Sequence, residues 1–113
     1  MQFFVYFTRS EDELPQPPAP EAMAGMMTFM QQSMESGMVL ATGQLAPSTT
    51  RIRQNGDKVS VTDGPFIEGK ELIPGFTVIQ VDSKQEAIEW TTKLGGFLGR
   101  EVRMTQIQNS GVE

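Results

Sequence analysis

Two segments of this chain, residues 2–8 (Gln-Phe-Phe-Val-Tyr-Phe-Thr) and 75–81 (Gly-Phe-Thr-Val-Ile-Gln-Val), carry aromatic and β-branched side chains on both of their alternating faces. That pattern constrains the fold more than any other. Side chains alternate along a strand, so Phe3, Val5 and Phe7 point one way and Phe4 and Tyr6 the other. In the second segment Phe76 and Val78 oppose Thr77, Ile79 and Val81. Strands apolar on both faces belong inside a sheet that is covered on both sides. With 113 residues the chain is expected to be a single domain, 1–113, burying about two thirds of its unfolded surface.

The intervening residues supply few elements to do the covering. Residues 9–20 hold three consecutive acidic groups, Glu11, Asp12 and Glu13, and then four prolines, the composition of an exposed extended loop. Pro20 suits a first helical position, and Met23, Met26, Met27, Met30 and Met34 recur at helical spacing before Gly37, predicting a helix over 20–36. The methionine stripe reads as core, with a malleable binding surface as its alternative. A strand is predicted over 38–45, with a bend or bulge near its end at Gly43 and residues 46–48. Residues 51–62 read as a hairpin around Asn55-Gly56. A two-residue loop there sets Ile52 opposite Val59 and Arg53 opposite Lys58, a like-charge pair, and a three-residue bulged loop is the other register. Ser83 and Glu86 form a capping box for a helix over 84–94, with Ala87, Ile88, Thr91 and Leu94 buried and Gly95-Gly96 as its end. Residues 100–107 alternate as a last strand.

Strand, helix, strand, hairpin, strand, helix, strand is a variation on the split βαβ of ferredoxin-like domains, an α+β fold with an antiparallel sheet and two helices on one face. Two helices on one face leave the other uncovered. Exposed apolar surface costs about 25 cal/mol per Å², so several large side chains amount to several kcal/mol, and a homodimer joined through these faces is expected. A monomer with a hydrated face, or with a loop folded across it, is the alternative.

Composition excludes several function classes. Nine Lys and Arg against 14 Asp and Glu give a net charge of −5, the wrong sign for a phosphate backbone, so no nucleic-acid partner is expected. The chain has neither cysteine nor histidine, which removes disulfides, thiolate nucleophiles and the commonest general base and metal ligand. No spacing of carboxylates resembles a hard-cation loop, so no metal and no cofactor are expected. No apolar run approaches membrane-spanning length and the N-terminal residues lack a basic leader, so no membrane is expected and a cytoplasmic protein is the simplest reading.

One stretch concentrates candidate chemistry. In Thr62-Asp63-Gly64-Pro65-Phe66-Ile67-Glu68-Gly69-Lys70-Glu71, glycine and proline shape a tight turn that aims Asp63, and Phe66 offers an apolar anchor. Asp63 is the candidate catalytic acid or base, with Glu68 or Glu71 as its counterpart, because paired carboxylates divide the two roles by environment. Arg51, Arg53 and Arg103 could hold an anionic ligand through their planar donor forks, Tyr6 could donate a hydroxyl, and Lys70 adds a cation. Equally, Asp63 could cap backbone amides of its turn, and Glu68, Lys70 and Glu71 could be a solvated loop.

The same stretch, together with Leu45-Ala46-Pro47-Ser48, Arg51-Ile52-Arg53, Gly75-Phe76, Val81-Asp82-Ser83, Glu86 to Trp90 and Glu101-Val102-Arg103, resembles the YCII-related family in its DGPF-domain branch. The resemblance implies a ferredoxin-like dimeric α+β barrel. It also implies that Asp63 matches the acidic member of a His and Asp pair that some relatives carry in a dimer cleft, although this chain has no histidine. Gly69 stands where the family pattern has threonine, which removes a hydroxyl. Two functions follow: a homodimer binding a small molecule around Asp63 and Phe66, with or without catalysis, and a non-catalytic regulatory module, since DGPF relatives occur beside sigma-factor genes.

Overall fold

The computed structural model describes residues 1–10, 13, 17–64 and 71–108, and of Glu71 only the backbone. In chain order the elements are β1 (Gln2–Ser10), α1 (Pro20–Glu35), β2 (Val39–Gln44), β3 (Thr50–Asn55), β4 (Lys58–Asp63), β5 (Glu71–Gln80), α2 (Lys84–Leu98) and β6 (Arg103–Ile107). Four strands form an antiparallel sheet in the order β2-β5-β1-β6, while β3 and β4 pair only with each other. Setting that hairpin aside leaves the ferredoxin-like arrangement that the element order predicts, with the two doubly apolar strands, β1 and β5, at the centre.

The helices cover one side. Phe3 and Val5 of β1, Ile79 of β5 and Val39 of β2 are buried with Ala87, Trp90 and Leu94 of α2, and Met26, Phe29 and Met30 of α1 pack against this cluster. One polar contact ties the helices together. The Trp90 indole Nε1 donates to Ser33 Oγ at 2.9 Å, and the Ser33 hydroxyl donates in turn to the Phe29 carbonyl at 2.8 Å. The Trp90 ring also lies 5.1 Å from that of Phe29. The helices approach closely enough at Gly25 that a Cβ there would stand 2.7 Å from the Phe97 ring.

On the far side Phe4 stacks on Phe76 at 5.7 Å and leans on Tyr6 at 5.4 Å, beside Val78. Those side chains are half-buried, and neither α1 nor α2 lies over them.

Several boundaries differ from expectation for physical reasons. The helix α2 runs through Gly95 and Gly96 and ends at Gly99, whose φ of +68° and N–H donated to the Gly95 carbonyl make the left-handed cap. The apolar stripe continues past the glycine pair to Phe97 and Leu98, and this packing offsets the roughly 1 kcal/mol a helical glycine costs. Trp90 takes the place in the buried stripe that Ile88 was expected to hold, and Ile88 is exposed. Ser83 Oγ accepts from Glu86 N as expected, but the Glu86 carboxylate accepts from Asp82 N, one residue beyond the cap. Met27 and Met34 face outward, so the methionine stripe is buried only in part. The irregularity in β2 falls at its start, between Val39 and Ala41, and Gly43 stays in register opposite Phe76. Pro74 is tolerated in a central strand because the β1–β5 ladder shifts register beside it.

The hairpin turn is centred on Gly56-Asp57, one residue later than Asn55-Gly56, with Asn55 opposite Lys58. Gly56, at φ +62°, supplies the first central position of a primed turn. This register puts Arg53 opposite Ser60 and Ile52 opposite Val61, replacing a like-charge pair with an apolar one. Among the described residues no helix is long and apolar enough to cross a membrane.

Because Ser33 satisfies a buried indole N–H, Ser33→Ala should lower stability by about 1–3 kcal/mol, seen as a melting temperature several degrees lower. A double-mutant cycle with Trp90→Phe should show coupling above about 0.5 kcal/mol, and strict additivity would show that the bond contributes nothing.

Candidate functional site

Between the sheet and α1 lies a cavity of about 680 Å³. The spacing of Met23, Met26 and Met30 places them on one face of α1, and they line one wall. Val5 and Phe7 of β1 and residues 74–77 of β5 line the sheet side, Thr42, Gly43, Gln44 and Leu45 line the β2 edge, and Leu94 and Leu98 of α2 close the back with Val102. A glycine keeps the floor low: a Cβ on Gly75 would stand 3.1 Å from the Phe7 ring. On the floor the Thr42 hydroxyl lies 3.0 Å from that of Thr77.

The charge at this cavity is cationic and held in place. Arg100 donates through Nη2 to the Thr8 carbonyl at 2.6 Å, and its guanidinium sits 5.1 Å from the centre of the Phe7 ring. Arg9 donates through Nη1 to the Glu13 carbonyl at 2.9 Å. The Glu13 carboxylate accepts from Arg100 Nη2 at 3.3 Å and from Ser10 N at 3.3 Å. Both arginines line the cavity, and no carboxylate is among its described lining residues. A mostly apolar chamber of this size with two fixed guanidinium groups matches a small organic molecule bearing an anionic end. Thioether walls adapt to the shape of such a body.

The YCII-related domain matches residues 1–95. This chain belongs to the YCII-related family. The matched span takes in both central strands, α1, the hairpin and most of α2. The chain is also similar to an uncharacterised protein of Rhizobium meliloti, at 28% identity over 90 residues, 78% of this chain and 67% of that one.

The structure of this YCII-related chain places the expected site residues in two groups. On the sheet, Tyr6 borders the cavity with its backbone, while its ring lies beside Phe4 on the other side, and it is paired across the ladder with Arg103, whose Nε donates to Glu101 at 2.9 Å. On the hairpin, Arg51 and Arg53 lie two apart on β3, and Asp63 ends β4 with its Oδ1 accepting from Thr50 Oγ1 at 2.6 Å. Glu71 opens β5 opposite Ser10. Phe66, Glu68 and Lys70 lie outside the described residues. Of the described members only Tyr6 borders the cavity, and its hydroxyl-bearing ring points to the other side of the sheet. The cavity residues Arg9 and Arg100 had no sequence signal, because each gains its role from the ends of β1 and α2 meeting in space. Met23, Met26 and Met30 did signal: their spacing admitted a binding surface as well as a core.

The Asp63 carboxylate accepts the Thr50 hydroxyl across the hairpin base, and both residues are exposed. Asp63→Asn should therefore leave the melting temperature within about 2 °C of the parent in differential scanning calorimetry. A much larger fall would make Asp63 a structural cap.

Proposed function

We propose that this YCII-related protein is a homodimer that binds a small organic anion with a largely apolar body in the cavity between α1 and the sheet. The observation that carries the reading is the chamber of about 680 Å³ with methionines along one wall and Arg9 and Arg100 held beside it. The Glu13 carboxylate already rests on Arg100, so a ligand carboxylate or phosphate would exchange with it. Asp63 is the group proposed for any proton transfer. It stands at the base of the hairpin, which residues 45–49 join to β2 and residues 64–70 join to β5, and Gln44, Leu45 and Pro74 at those strand ends line the cavity. The Thr62-to-Phe66 motif supports the DGPF-domain branch, and the whole chain is taken as one such domain.

The dimer is proposed to form through the side of the sheet that the helices leave bare. Phe4, Tyr6, Phe76 and Val78 supply the apolar surface, and an identical face is the simplest complement to it. Sedimentation equilibrium at micromolar concentration should return twice 12.5 kDa, and Phe76→Glu should return 12.5 kDa.

Dodecanoate and dodecanol, an apolar chain with and without an anionic end, test the cavity. Dodecanoate should raise the melting temperature, since a ligand at a hundred times its Kd adds about 2.7 kcal/mol. Arg100→Gln should reduce that shift to the smaller one given by dodecanol, and Met23→Trp, which fills the chamber, should abolish both. If neither compound moves the parent protein, the cavity is not a binding site and the regulatory alternative stands.

A further inference from the structure

The β3–β4 hairpin is an element without a body. It forms its own two-stranded sheet and packs extensively on no other described element. A lone two-stranded hairpin is at best marginally stable in water, because one pair of strands buries almost nothing. This one also has an apolar side. Its register places Ile52 beside Val61, and Val59 two residues from Val61, so three β-branched side chains share one face at 67%, 64% and 60% exposure. Strand-forming residues make a surface that no other described element covers. The molecule is correspondingly drawn out, with a radius of gyration of 16.5 Å where about 13 Å is ordinary for 113 residues, and a longest extent of 47 Å.

We infer that the hairpin is an arm that packs its Ile52, Val59 and Val61 face on a second copy of this chain. The inference rests on the homodimer reading above and adds the contact that completes it. Area favours this occupant. The bare face of four strands about 4.8 Å apart and about 20 Å long projects to roughly 400 Å², half of the ~800 Å² per partner that a stable interface buries. An arm of two six-residue strands adds roughly 200 Å². In a two-fold pair that surface counts twice for each copy, once as the arm and once as the surface beneath the partner's arm, and the deficit closes. Reach agrees, since six residues extend about 20 Å and packed sheets lie about 10 Å apart, so the arm spans the seam. Charge agrees as well: the arm carries Arg51, Arg53 and Lys58 against Asp57 and Asp63, a net +1 on a chain of net −5, and so meets an acidic body. The arm's base is Asp63, so the proposed acid or base of each copy would stand where the two copies interlock.

The native chain has no cysteine, so a single one can be labelled uniquely. Val61→Cys carrying a benzophenone maleimide, irradiated at micromolar concentration, should give an interchain adduct of twice 12.5 kDa, and Ser60→Cys on the opposite hairpin face should give several-fold less. Ile52→Ser combined with Val61→Ser should raise the dimer dissociation constant by about 10-fold or more with unchanged circular dichroism. If the parent is a dimer yet Val61→Cys yields only intrachain product, or the double variant dissociates no more readily, the arm inference fails and the dimer stands. A parent particle of 12.5 kDa removes both.

Discussion

Coverage of the sheet is the constraint on which the rest depends. Four strands about 4.8 Å apart make a layer close to 20 Å wide, and two helices of about 10 Å diameter side by side span one surface of it. The helices do so as a unit: Trp90 reaches from α2 into α1 to donate to Ser33, and the absence of a side chain at Gly25 lets the Phe97 ring press close. That buries Phe3, Val5, Ile79 and Leu94. The same strands carry Phe4, Tyr6, Phe76 and Val78 on their other side, which neither α1 nor α2 meets.

The cavity follows from how α1 meets the sheet. Methionines at positions 23, 26 and 30 face a sheet whose helix-side positions include Gly75. A glycine on the floor and flexible, unbranched side chains on the wall leave a chamber of about 680 Å³. The end at Arg9 and Arg100 is different in kind. There the ladder between β1 and β5 shifts register, and a guanidinium stacked on Phe7 holds the Thr8 carbonyl in place of a regular strand partner.

How much of this was legible in the sequence depends on the range over which each feature is decided. The central strands, α1 after Pro20, the Ser83 cap and the element order are decided by neighbours in the chain, and they read correctly. The end of α2 is decided by distant contacts: two glycines argue for stopping, but Phe97 meets Phe29 and Leu98 meets the core, so the helix continues to Gly99. The hairpin turn moved by one residue because pairing Ile52 with Val61 outweighs the preference of Asn55-Gly56 for the central positions. The site was the least legible. Asp63, Arg51 and Arg53 stand out as charges in a conspicuous motif, whereas Arg9 and Arg100 are unremarkable until two strand ends and a helix end bring them to one cavity.

Alternation along β1 and β5 also ties the two surfaces to each other. Phe7 and Gly75 form part of the cavity floor, and their immediate neighbours Tyr6 and Phe76 belong to the aromatic patch on the bare side. A pleated strand cannot move one residue without its neighbour, so a ligand that lifts Gly75 carries Phe76 with it. The stack of Phe4 on Phe76 lies in the surface through which two copies are proposed to meet. The proposed ligand occupancy on the sheltered side and the proposed association through the open side would thus act on the same backbone. By linkage, if both proposals hold, a ligand that flattens or twists these strands would change the affinity of the copies for each other by the same factor that association changes the affinity for ligand.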